Sequence, residues 1–134
     1  MTSMLEATSY LGEVIRSIKG KLEQSSNYSL HVRKVIDYIN RHYADNVSLS
    51  SVAEHFGLSS SYLSRLVRAE AGVNFVDLLT KARIEAAKRL LKNPKYKVNE
   101  VSEKVGYKEY AYFYQVFKKF EGVSPKDYKN KGLE

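Results

Sequence analysis

The stretch around Gly57 recurs around Gly106, and this internal duplication constrains the fold more than any other feature of the chain. At a shift of 49, Val52 falls on Val101, Phe56 on Val105 and Gly57 on Gly106. Past the glycine the shift becomes 50. Tyr62-Leu63 then meets Tyr112-Phe113, Leu66 meets Val116, Arg68 meets Lys118, Gly72-Val73-Asn74 meets Gly122-Val123-Ser124, and Asp77 meets Asp127. Each copy reads as a short helix, a glycine turn, a longer helix and a Gly-Val-polar exit. A short helix with a glycine-containing turn lets a second helix cross it and project outward, so each copy is a helix-turn-helix. The second copy has one extra residue in its turn.

Local signals agree with that reading. Val32, Val35, Ile36, Ile39 and Tyr43 recur at helical spacing over about 30–43. Residues 49–56 form a short helix stopped by Gly57. Ser59 is placed to cap a helix running to about 71, which Gly72 stops. Asn74 with Asp77 resembles a capping box ahead of a long helix over 75–92, ended by Asn93-Pro94. At ~1.5 Å per residue that helix is a strut of about 27 Å between the copies. The second copy opens with a short helix over about 98–105, for which Lys97 is a poor cap. A longer helix follows from about 109 to 120. Ser124 caps a last turn, with Pro125 at the first helical position, where its missing N–H costs nothing. Strand signals are absent. The expectation is an all-α chain of about seven helices plus an N-terminal amphipathic one, with helix-turn-helix units at about 49–71 and 98–120 joined by the linker helix 75–92.

Composition removes most alternatives. A chain of 134 residues holds one domain, or two very small ones. Zero cysteines exclude a disulfide framework and a thiolate zinc site, and His31, His42 and His55 are a thin stock for a metal or acid–base centre. No nucleophile–base pair, paired-carboxylate pocket or phosphate-cradling glycine loop is visible. The chain therefore reads as a non-enzyme without cofactor or metal. It has neither an apolar run of 18 residues nor a basic stretch leading into a signal-like apolar segment, so we expect a soluble, cytoplasmic protein and no membrane partner.

Charge then points to the partner. With 22 Lys+Arg against 15 Asp+Glu the formal charge is +7, and such an excess implies something anionic. In residues 1–26, Arg16, Lys19 and Lys21 balance Glu6, Glu13 and Glu23, so the whole excess lies in 27–134. The polar stretch Gln24-Ser25-Ser26-Asn27 reads as a linker. Upstream of it Leu11, Val14, Ile15, Ile18 and Leu22 recur at helical spacing. A lone amphipathic helix over 5–22 must dock on the basic part, pair with another chain as a homodimer contact, or fray.

On the linker helix, Asp77, Lys81, Glu85, Lys88 and Lys92 lie on one wet stripe, with Asp77→Lys81 and Glu85→Arg89 in the favourable acid-first order. Arg83 falls on the largely apolar side, where an isolated charge is costly. Either an ion pair, to Glu54 or Glu103, or a phosphate would satisfy it.

The two longer helices carry the chemistry. In the first, Leu63, Leu66, Val67 and Ala71 make the core stripe and leave Ser60, Ser61, Ser64, Arg65 and Arg68 outside. Small hydroxyl residues let a backbone settle deep in a groove. Arg65 has the bidentate fork that fits guanine O6 and N7, worth ~1–3 kcal/mol of base discrimination, and Arg68 is better placed for phosphate. In the second, Phe113, Val116, Phe117 and Phe120 face in. Tyr110, Ala111, Tyr114, Gln115 and Lys118 face out, with Lys119 at the edge. Gln115 matches adenine N6 and N7, Ala111 a thymine methyl, and Lys118 and Lys119 phosphate. A basic helix face alone is most often solvated surface. Two at matched positions of a duplicated helix-turn-helix argue for DNA. Of the aromatic cluster Tyr107, Tyr110, Tyr112, Phe113, Tyr114, Phe117 and Phe120, only Tyr110 and Tyr114 are expected on the outer face. Single strands could stack on them, although that mode prefers sheet or barrel platforms.

These residues also carry a resemblance. Leu58-Ser59-Ser60-Ser61-Tyr62-Leu63-Ser64-Arg65-Leu66 is followed by Ala82-Arg83-Ile84, Ala87-Lys88 and Leu90-Leu91. Then come Val105-Gly106-Tyr107, Tyr112-Phe113, Phe117-Lys118-Lys119, Gly122-Val123-Ser124-Pro125 and Tyr128. Over residues 30–129 the chain resembles the DNA-binding region of the AraC/XylS family of bacterial transcription regulators, a seven-helix unit whose two recognition helices enter successive major-groove segments. The resemblance implies Ser60, Ser61, Ser64 and Arg65 as readers in the first groove, and Ala111, Tyr114 and Gln115 in the second. It implies double-stranded DNA and RNA polymerase as partners, and leans towards activation. Three positions depart from the family's habit: Glu109 stands where Asp or Ser caps the helix, Ala111 where Ser is usual, and Gln115 where Arg is usual. The second half is expected to bind more weakly or to prefer adenine. Family units usually follow a sensor or phosphoacceptor domain, so the chain is either the DNA-binding part of a larger regulator or a small stand-alone one. A basic helical module meeting an acidic protein or RNA is the alternative reading.

Overall fold

The computed structural model describes residues 28–132, and the amphipathic helix expected over 5–22 lies outside them. Seven helices and no strand occur among the described residues: α1 Leu30–His42, α2 Leu49–His55, α3 Ser60–Ala71, α4 Phe75–Leu91, α5 Val98–Lys104, α6 Tyr110–Glu121 and α7 Pro125–Gly132. These match the expected helices to within a residue at each end: α4 stops at Leu91, α5 stops at Lys104, and α6 runs from Tyr110 to Glu121. The end of α4 is closed by a distant side chain. The Lys129 ammonium donates to the carbonyls of Leu91 at 3.3 Å and Asn93 at 3.0 Å, taking up acceptors that a helix end leaves open.

The chain divides into two compact units with the boundary inside α4, residues 28–82 and 83–132. In the first, Ser29 caps α1 by accepting from the Val32 amide, and its own amide donates to Glu70 Oε1 at 2.6 Å, which ties the start of α1 to α3. Val35 and Ile39 of α1, Val52 and Ala53 of α2, and Leu63 and Val67 of α3 close a core with Leu78 and Leu79 of α4. Burying each Val, Leu or Ile among them stabilises the fold by ~1.5–3 kcal/mol. Between α1 and α2 the Tyr38 ring meets His42 at 4.5 Å, His55 at 4.8 Å and Phe56 at 5.8 Å.

The second unit buries Ile84, Ala87 and Leu91 of α4, Val101 and Val105 at α5, and Phe113 and Phe117 of α6. Phe113 and Phe117 lie 5.7 Å apart, and Phe117 meets Tyr128 of α7 edge-on at 5.6 Å. Tyr112, expected in this core, is 59% exposed. One step beyond Ala111 on the helix, it follows the outer shoulder of α6 rather than the stripe of Phe113 and Phe117. Arg83 holds its guanidinium over the Tyr107 ring, 5.2 Å from the centroid. Glu85, paired with Arg89 in the sequence reading, lies 3.6 Å from Lys88 instead.

The duplication is visible bond by bond. Gly57 donates to the Glu54 carbonyl and Leu58 to that of Ala53, while Gly106 donates to Glu103 and Tyr107 to Ser102. Both turns are thus the same paired closure of a helix end, which needs a left-handed residue after the cap. Gly57 supplies it at φ 68° and Gly106 at φ 104°. Downstream, Gly72 and Gly122 end α3 and α6 at φ 78° and 79°. Asn74 and Ser124 then accept from the amides of Asp77 and Asp127 at 2.8 and 3.1 Å.

Candidate nucleic-acid interface

In the first unit α3 starts cleanly because Ser59 Oγ accepts from the Tyr62 amide at 3.1 Å. With Leu63, Val67 and Ala71 fully buried, the helix has one rotational setting, and Ser60, Ser61, Arg65 and Arg68 are left exposed. Ser64 departs from expectation and is only half-exposed, because it sits beside the stripe of Leu63 and Val67.

In the second unit Phe113 and Phe117 fix α6 in the same way, and Tyr110, Ala111, Tyr114, Gln115, Lys118 and Lys119 are all exposed. Its start is weaker. Glu109 has the extended backbone of a cap residue but makes no side-chain capping bond. Tyr110 and Tyr114 form a small exposed platform, their rings 6.4 Å apart, with the Lys118 ammonium 5.9 Å from the Tyr114 centroid. Burial, with Tyr114 beside it, pushes the Tyr110 hydroxyl above a phenol's ordinary value.

Sequence reasoning passed over two exposed rings. Tyr62 is 41% exposed and Tyr112 59%, and they are the same residue of the repeat. The signal was present: a tyrosine kept in register beside buried Leu63 and Phe113. No group of three His, Asp or Glu side chains close enough to hold a metal occurs among the described residues. No helix among them is long and apolar enough to cross a membrane.

Two helix-turn-helix units, each presenting an exposed basic helix, define a class of double helix-turn-helix domains. The family described as "Helix-turn-helix domain" matches residues 52–131, and the chain belongs to the AraC-type helix-turn-helix family of transcription regulators. It is 37% identical over 113 residues to the arabinose operon regulatory protein of Escherichia coli K12, an alignment covering 79% of this chain and 39% of that protein. The chain thus spans about two-fifths of that relative's length. The C-terminal domain of AraT, a response regulator from Geobacillus stearothermophilus, is similar at 40% identity and a TM-score of 0.76, covering 78% of this chain and 88% of that one. The fold is also shared with the DNA-binding domain of AdpA, solved in complex with a target DNA, at 23% identity and a TM-score of 0.72 over 77% and 93% of the two chains.

Proposed function

We propose that the chain is a sequence-specific double-stranded DNA-binding unit of a bacterial transcription regulator, inserting α3 and α6 into successive major-groove segments. The observation that carries this is the matched exposure on the two helices: Arg65 and Arg68 on α3, and Gln115 and Lys118 on α6. Arg65 is the base reader of the first half, with Ser60, Ser61 and Ser64 allowing close approach. Gln115 and Ala111 read in the second half, flanked by Tyr110 and Tyr114. Arg68, Lys118 and Lys119 hold phosphate. The domain reading of 1–26 as an amphipathic helix and linker, and 27–134 as the DNA-binding domain, belongs to this proposal. So do contact with RNA polymerase, activation rather than repression, a homodimer contact through residues 5–22, a cytoplasmic site of action and the absence of enzymatic activity. The unit is proposed to act within a larger sensor or response regulator, which the greater length of its relative supports.

Titration with a selected duplex and a random duplex at several salt concentrations tests the reading. It predicts a slope of about −0.9 per neutralised phosphate and a preference for one sequence at every salt. Equal affinity for both duplexes throughout would instead favour a basic module that meets an acidic protein or RNA.

A further inference from the structure

Around α3 and α6, at about 100° per residue, three exposed positions form a repeated triad. Arg65 stands at the centre of the outer face of α3, with Tyr62 about 60° to one side and Arg68 about 60° to the other. On α6 the same places are taken by Gln115, Tyr112 and Lys118. The central position differs between copies, as a base-reading position does when two half-sites differ. The cation on one shoulder is retained as Arg68 and Lys118. The tyrosine on the other shoulder is retained unchanged.

A helix lying in the major groove has a sugar–phosphate wall on each side. The cation shoulder serves one wall, and the opposite wall needs a donor too. We propose that Tyr62 and Tyr112 are that donor, each giving its hydroxyl to a backbone phosphate on the wall opposite Arg68 and Lys118. This inference rests on the DNA-binding reading of α3 and α6.

The rings are built for such a role. Each is exposed, yet each ring meets a neighbour edge-on, Tyr62 with His31 at 6.5 Å and Tyr112 with Tyr107 at 5.7 Å. Bracing limits the rotamers lost on binding, so a single hydrogen bond keeps more of its worth. Neither hydroxyl is hydrogen-bonded among the described residues. Packing alone asks only for an aromatic ring here and gives no reason for the hydroxyl.

The test uses Tyr62→Phe, Tyr112→Phe and the double variant, which keep the ring and its brace, in titrations with selected and random duplexes at several salts. Each single change is expected to weaken binding of both duplexes alike by about three- to tenfold, the loss of one hydrogen bond, with the double variant close to the product. Base preference and salt slope stay at the wild-type values, because a neutral hydroxyl releases no counterion, whereas Lys119→Ala flattens the slope by about 0.9. Replacing the contacted phosphate by a methylphosphonate should erase the difference between Tyr and Phe. Phe variants that bind like wild type, or a change of base preference, would overturn the inference while leaving the DNA-binding reading intact. Loss of duplex binding by the wild type itself would remove both.

Discussion

The Lys88 ammonium stands 3.2 Å from the Glu121 carboxylate, joining the wet stripe of α4 to the last residue of α6. Burial alone would lower the Lys88 pKa. The neighbouring carboxylates of Glu121 and Glu85 outweigh it and hold the group above the ordinary lysine value. A folded-state pKa above the unfolded one contributes stability below the unfolded value and loses it as pH rises through the folded one. Lys88→Met is therefore expected to lose about 1–2 kcal/mol in urea unfolding at pH 7, by removing the ammonium from a mostly buried carboxylate. The gap to wild type should narrow as the buffer is taken above the lysine range. Equal stability at pH 7 would deny the pair any part in seating α6.

Glu109→Ser should stabilise the second unit. Its backbone already has the extended geometry of a cap, with φ −107° and ψ 116°, and lacks only the short side-chain acceptor that Ser59 gives α3. We expect about 0.5–1 kcal/mol, read as a higher thermal midpoint, and unchanged base preference. A lower midpoint would mean that Glu109 supports the helix by some other contact.

Arg65 and Arg68 should fail differently. Arg65→Ala is expected to cost about 1–3 kcal/mol on the preferred duplex and little on a random one, relaxing choice at one base pair. Arg68→Ala should weaken both duplexes alike and flatten the salt slope by about 0.9. Reversed behaviour would exchange the two assignments.

The proposed role of Gln115 on α6, a neutral side chain, gives a directional test. Gln115→Arg should move preference at its base pair from adenine towards guanine and tighten the second half-site, measured against a panel of duplexes. An unchanged panel would mean that Gln115 does not touch a base.

The fold was legible because the chain states it twice. Gly57 and Gly106 mark left-handed turns that few other residues tolerate, and Ser59 and Ser124 mark helix starts by their own chemistry. The exposed cations of α3 and α6 followed from the apolar stripes of Leu63, Val67, Phe113 and Phe117. What escaped were relations between distant segments. Lys129 ending α4, Lys88 reaching Glu121 and Arg83 resting on Tyr107 all join residues far apart in the chain, and no local period encodes them. Tyr112 was misplaced because aromatic residues crowd this helix, and composition alone assigns a crowd to the core.

Footprinting of the chain on a duplex selected from a random pool reads the placement of α3 and α6 on DNA. Two recognition helices in successive grooves predict two protected major-groove patches about 10 bp apart on one face of the DNA for each chain. Loss of Arg65 should weaken one patch and loss of Lys118 the other. A single patch, or protection without sequence preference, would rule out insertion of both helices into successive grooves.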